Sequence, residues 1–99
     1  LKSFARKFTP QARHLLKELP PGVKAALRAL TDKLLTNPYL GKPLQKELSG
    51  YYSVRHSHYR VIYCVQKEKK WVIIEYVGLR NRVYELFSEF LKRKTKTPF

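Results

Sequence analysis

Apolar and polar positions run along this chain in two rhythms, one of period near four and one of period two. Residues 3–8, SFARKF, alternate loosely and predict a short first strand. Thr9 then stands as an N-cap before Pro10, a residue suited to the first helical position. Ala12, Leu15, Leu16 and Leu19 make an apolar face, which predicts a helix over about 10–19 that Pro20 and Pro21 stop. Ala25, Ala26, Leu27, Leu30, Leu34 and Leu35 recur at the same spacing and predict a second helix, from Pro21 or Gly22 to about residue 36, where Asn37–Pro38 ends it. So short a link between two helices predicts an antiparallel pair.

The period changes after residue 50. Residues 38–50, PYLGKPLQKELSG, are broken by Gly41, Pro43 and Gly50 and read as irregular, with Leu44 and Leu48 as anchors to the core. Tyr51–Arg55 and His58–Gln66 read as strands with a turn at His56–Ser57. In the second of these, Ile62 and Cys64 occupy positions where a half-solvated strand would be polar, so both faces of the sheet are partly covered. Lys67–Lys70 makes a charged turn, and Trp71–Val77, WVIIEYV, is a further strand ended by Gly78. Tyr84, Leu86, Phe87, Phe90 and Leu91 then predict a short amphipathic helix to about residue 93, with Lys92 and Arg93 matched to its negative end. The last residues, KTKTPF, read as a loose tail. The result is an α+β fold of order β-α-α-β-β-β-α, with helices on one side of a small antiparallel sheet.

With 99 residues the chain suits one domain over 1–99. The sequence opens at Leu1 without a methionine, as a chain missing its true start would. Charge changes the picture more than length does. Lys and Arg number 21 against 7 Asp and Glu, a formal +14. The excess is shared: 10 basic and 3 acidic residues fall in 1–50, and 11 and 4 in 51–99. Such a surface favours an acidic partner, nucleic acid or acidic protein, over a neutral one. The single cysteine, Cys64, excludes an internal disulfide and gives little support to a zinc site, and it reads as a small buried apolar residue. No run nears the roughly 18 apolar residues of a membrane span, and there is no signal-peptide segment, so a cytoplasmic protein without a membrane partner is expected.

The stretch Tyr51–Tyr63, YYSVRHSHYRVIY, concentrates the chemistry. Arg55, His56, His58 and Arg60 surround one hairpin, while Arg80, Arg82 and Tyr84 follow the next strand, and antiparallel pairing would join the two groups. Arginine holds phosphate through two directed hydrogen bonds and stabilises the extra charge of a phosphorane-like transition state. Histidine and tyrosine can exchange protons, and tyrosine can also stack on a base. This set suits RNA binding, and RNA cleavage in which the RNA's own 2′-hydroxyl is the nucleophile. No acidic cluster marks a divalent-metal site, so no metal and no cofactor is expected. Lys42, Lys46 and Glu47 are candidates for a cleft rim. Against these roles stand plain structural ones: Arg60 paired with Glu75 on the strand surface, Tyr84 packed in the core, solvated arginines and histidines, and Trp71 in the core.

Two fragments, NPYLGKPLQKELSGYYSVRHSHYRVIY and WVIIEYVGLRNRVY, together resemble the RelE/ParE superfamily of bacterial and archaeal toxins from type II toxin–antitoxin pairs. The likeness lies in an Asn-Pro helix stop, a Lys-Pro-Leu segment, a Leu-Ser-Gly turn, a Tyr-Arg-Val-Ile-Tyr strand, and a strand ending in Gly followed by an arginine and, four residues later, a tyrosine. The resemblance, RelE-like branch first, implies a ribosome-dependent mRNA endoribonuclease that needs no metal and arrests translation. It implies ribosome and mRNA as partners, and neutralisation by a cognate acidic or amphipathic antitoxin. The ParE-like branch implies instead a non-enzymatic inhibitor of DNA gyrase, and a third alternative is an inactive RNA-binding toxin-like protein. Carried onto this chain, the resemblance makes Arg60 and Arg80 the phosphate-stabilising arginines and Tyr84 the residue that orients the base or assists proton transfer. Well-known RelE-type sites carry lysines where this chain has Tyr51, Tyr52 and Ser53. The basic role then passes to Arg55, His56, His58 or Lys46, with Lys42, Arg82, Lys92 and Arg93 completing an RNA-binding surface. Leu79 stands where the wider superfamily often has histidine.

Overall fold

The computed structural model describes residues 3–95. A five-stranded sheet of order β1-β5-β4-β3-β2 forms the centre, from β1 (Ala5–Phe8), β2 (Lys42–Pro43), β3 (Tyr52–His56), β4 (Tyr59–Gln66) and β5 (Trp71–Leu79). Three helices accompany it: α1 (Pro10–Lys17), α2 (Pro21–Asp32) and α3 (Val83–Thr95). The α+β class and the order of the main elements match the sequence reading. β2–β5 pair antiparallel, whereas β1 pairs parallel to β5, Ala5 opposite Trp71 through Phe8 opposite Ile74, so the sheet is mixed. The two helices between β1 and the rest of the sheet supply the long crossover that a parallel pair requires.

Local chemistry sets the helix ends. Thr9 Oγ1 accepts a hydrogen bond from the Ala12 amide at 3.0 Å, and the same hydroxyl donates to the Glu75 carbonyl at 3.2 Å. The cap thus also ties α1 to β5. Helix α2 stops at Asp32, and a 3-10 turn over Lys33–Leu35 places Leu34 and Leu35 in the core. Arg6 fastens β1 to α2 by donating to the Arg28 carbonyl at 3.2 Å and Thr31 Oγ1 at 3.1 Å, with Asp32 Oδ1 at 3.8 Å.

The sheet separates two apolar clusters. On one face Ala12, Leu27, Leu34 and Leu35 pack with Val54, Val61, Tyr63, Val72, Ile74 and Val77. On the other, Val83 and Phe87 of α3 pack with Leu48, Ile62 and Tyr76. Leu15 touches both. Helices therefore do not lie on one side only, as expected above. The apolar Ile62 supplies a second dry surface, and α3 covers it. An extra residue in β5 at Glu75, between the partners of Ile62 and Tyr63, keeps the strand in phase with β4 on both sides of the irregularity. Trp71 is not a core residue. It is half-buried, with Lys7 Nζ 5.0 Å and Lys69 Nζ 4.7 Å from its ring centroid. Within the expected tail, Lys94 and Thr95 still belong to α3, and residues 96–99 lie outside the described residues.

Candidate functional site

The site follows from strand alternation. Residues opposite one another on paired strands share a face, and alternate residues of one strand do the same. Arg60 stands opposite Arg55 on one side and Gly78 on the other. Ser53 stands opposite Ile62, and Lys42 opposite Ser53. Lys42, Ser53, Arg55, Arg60 and Gly78 therefore share the face that Ile62 presents to α3.

Gly78 lets α3 come down on this surface. A Cβ there would lie 3.3 Å from Val83 Cγ2, closer than ordinary packing. Tyr84, next along α3, then meets the row. Its hydroxyl lies 2.9 Å from Ser53 Oγ, and Arg60 Cζ lies 5.9 Å from its ring centroid. Tyr84 is half-buried but outside the fully buried core, so its ring packs while its hydroxyl reaches the row. Lys42, Leu48 and Tyr84 line a shallow groove of about 230 Å³.

The electrostatics are unbalanced. Arg55 and Arg60 oppose each other directly, an arrangement that normally costs stability. Neither forms an ion pair among the described residues, and Arg60 is not paired with Glu75. Glu75 instead accepts a hydrogen bond from Cys64 Sγ at 3.2 Å. Arg60 Nε is buried with no hydrogen-bond partner among the described residues. A buried, unpartnered guanidinium nitrogen is expensive, and an anion bound there would satisfy it. Burial, with Glu75 adding to it, pushes the Cys64 thiol up to about 12, which removes it as a nucleophile near neutrality.

The other candidates divide. The Arg80 amide donates to the His58 carbonyl at 2.7 Å, so the segment after β5 is tied to the β3–β4 turn. Arg82, exposed, pairs with Glu85 at 3.4 Å. His56 stands opposite Tyr59, one residue out of phase with Arg55, and so belongs to the opposite face. His58 is exposed in the turn. Lys46 is exposed in a 3-10 turn over Lys46–Leu48, with φ at 55°. Lys92 lines a groove with Glu47, Tyr84 and Glu89, whereas Arg93 lines a different one with Thr9 and Glu75. The sequence reading did not single out Ser53 as a partner of Tyr84. The signal available was its strand phase, two residues before Arg55.

Among the described residues no group of three or more His, Cys, Asp or Glu could hold a metal ion, and no helix is long and apolar enough to cross a membrane.

Comparison with known proteins gives a consistent set. The family described as "ParE toxin of type II toxin-antitoxin system, parDE" matches residues 6–84. Toxin RelG of Mycobacterium tuberculosis is 38% identical over 80 residues, covering 79% of this chain and 92% of that protein. Toxin RelE of the same organism is 35% identical over 80 residues, covering 79% and 82%. A chain of the M. tuberculosis toxin–antitoxin complex RelBE2 superposes with a TM-score of 0.73 at 36% identity, covering 79% of this chain and 99% of that one. The isolated E. coli RelE toxin superposes at 0.70 with 26% identity, covering 91% and 97%.

Proposed function

This chain belongs to the RelE/ParE superfamily of type II toxin–antitoxin toxins, on its RelE-like branch, and from that membership we propose that it is a ribosome-dependent mRNA endoribonuclease neutralised by a cognate antitoxin. The observation that carries the reading is Arg60: a half-buried guanidinium with an unpartnered buried Nε, beside the Tyr84 ring and opposite a second arginine. An RNA phosphate would supply the missing acceptor and relieve the Arg55–Arg60 repulsion.

In the proposed reaction the 2′-oxygen attacks the adjacent phosphorus and the bond to the 5′-oxygen breaks. The 2′-hydroxyl proton leaves to a base, and a proton is delivered to the departing 5′-oxygen. The products are a 2′,3′-cyclic phosphate and a 5′-hydroxyl, with water needed only to open the ring. Arg60 and Arg80 stabilise the charge that builds on the phosphoryl oxygens. Tyr84, held by Ser53, orients the base or assists proton transfer. Arg55 completes the phosphate site. Lys46, Arg82 and Lys92 hold the RNA backbone around it. His56 and Arg93 face elsewhere and are not assigned a part, and His58 contributes through its carbonyl contact to Arg80. The antitoxin is expected to be acidic or amphipathic, to match the +14 charge of the chain.

The test is a reconstituted translation reaction with the RNA ends analysed, run beside a gyrase supercoiling assay. The expected result is cleaved, ribosome-bound mRNA with cyclic or 3′-phosphate ends and unimpaired supercoiling. Joint alanine substitution of Arg60, Arg80 and Tyr84 is expected to abolish cleavage, since one group that stabilises transition-state charge typically supplies about 10²–10³-fold. Intact mRNA with the wild-type chain, or cleavage that survives the triple substitution, would overturn the assignment.

A further inference from the structure

The face that holds Arg60 carries one more cation, contributed by a strand of two residues. Lys42 of β2 stands opposite Ser53 of β3. It is exposed, it forms no ion pair among the described residues, and it lines one groove with Tyr84, whose hydroxyl is bonded to Ser53. Neighbouring strands lie about 4.8 Å apart, so a side chain on β2 begins one strand spacing from its partner on β3. The long lysine stem can span that gap and present its ammonium over Ser53.

The position of Lys42 is fixed by three independent constraints. The buried Tyr63 hydroxyl donates to the Pro38 carbonyl at 2.8 Å and accepts from the Gly41 amide at 2.9 Å, so the Pro38–Gly41 turn is pinned to β4. Gly41 lies so close that a Cβ would fall 2.7 Å from both the Ser53 carbonyl and the Tyr63 hydroxyl. Pro43 follows Lys42, and the residue before a proline is steered to extended backbone. A free edge this short would ordinarily fray. Here it is held in register, with its one cationic side chain facing the row.

We propose that Lys42 is a phosphate-contacting residue of the cleavage site: it places across the strand gap the positive charge that β3 lacks at Ser53, and so frees Ser53 to hold the Tyr84 hydroxyl. The assignment rests on the ribonuclease reading. It divides between two strands what a lysine on β3 would do alone: Lys42 neutralises phosphoryl charge, and Ser53 is a positioning residue for Tyr84.

Single-turnover cleavage of ribosome-bound mRNA tests this with the full chain and four variants: Lys42→Ala, Lys42→Arg, Arg60→Ala and, as a charge control, Lys33→Ala on an exposed turn away from the row. Lys42→Ala is expected to slow the cleavage step by on the order of 10²-fold at saturating protein, because transition-state charge is lost. Half-saturation should move by less than about 3-fold, the effect of one exposed charge on binding. Lys42→Arg should retain at least about a third of the wild-type rate, because it keeps the charge on a long stem. Lys33→Ala should stay within about 2-fold of wild type, a screened and distant charge. Wild-type cleavage by Lys42→Ala beside collapse of Arg60→Ala overturns the role of Lys42 and leaves the ribonuclease reading standing. Equal loss in Lys42→Ala and Lys42→Arg also overturns it, since charge would then not be the quantity that matters. A wild-type chain that leaves the RNA intact overturns both.

Discussion

Arg55 and Arg60 face each other across two paired strands, with a glycine beyond and no carboxylate to divide their charge. Local rules of this kind are broken where a site needs the repulsion, because an incoming anion relieves it. The arginines themselves were legible in the sequence: the Tyr-Arg strand and the arginine after Gly78 stand out by residue type and spacing. Ser53 was not, since its part depends on a contact made 31 residues away by Tyr84. Ser53→Ala removes that partner at a position only 4% exposed, and Tyr84→Phe removes the other half. Each single change is expected to cost about 1 kcal/mol in urea unfolding, and the double change little more than one alone, as for a shared hydrogen bond. Additive costs would show that the two hydroxyls do not interact. The histidines show the reverse case. His56 is conspicuous by type, but a two-residue period sends it to the other face from Arg55.

The elements around the site differ in how they earn their place. β4 and β5 were readable from alternation and from the run WVIIEYV, and α1 from its Thr9–Pro10 start. β2 was hidden because two residues carry no period, and its Lys-Pro pair reads as loop. Tyr63 decides its position. Gly41→Ala would drive a methyl group against Tyr63 and the Ser53 backbone, and overpacking of this kind costs about 1–3 kcal/mol. Denaturant unfolding should show that loss. Cleavage measured well below the melting temperature should fall as well, because Lys42 and Ser53 shift together. Unchanged stability would mean that the turn has room the geometry denies it. Helix α3 was predicted as an element, yet its face was not: amphipathic spacing says which side of a helix is dry, and only Ile62, Tyr76 and Gly78 together show which side of the sheet receives it.

At the scale of the whole molecule, charge and burial set how stability responds to pH. Burial raises the Tyr63 phenol from 10.0 to about 12 and, with Glu75, the Cys64 thiol from 9.0 to about 12; Tyr51 is raised too. All three are neutral when protonated, and the unfolded chain gives up these protons first. The stability they contribute is therefore complete below about pH 9 and is lost as pH rises towards about 12. For Tyr63 alone a shift of about two units corresponds to about 3 kcal/mol. Urea unfolding at about pH 8 and about pH 11 should show the decline. Tyr63→Phe should begin less stable at the lower pH, having lost its contacts to Pro38 and Gly41, and should then decline less steeply. Parallel declines in the two proteins would show that Tyr63 does not carry the effect. The net positive charge acts in the opposite sense, since its self-repulsion eases as lysines lose their protons, so the comparison of variants is more telling than either curve alone.

What the sequence by itself determined is whatever depends on neighbours in the chain. It set the periods that make the elements, the prolines and glycines that end them, the basic surface, and the spacing of Arg60, Arg80 and Tyr84 that resembles a toxin family. Those signals survive in a string of letters because each needs only a few adjacent residues. Tertiary structure alone decided the mixed sheet, the placement of α3 on the face opposite most of the helical pair, the unpaired nitrogen of Arg60, and the alignment of Lys42 with Ser53 and Tyr84. Each of these is a relation between distant residues. It exists only because strand pairing fixes register, and because a buried tyrosine and two glycines permit close approach where any larger group would hold the parts apart.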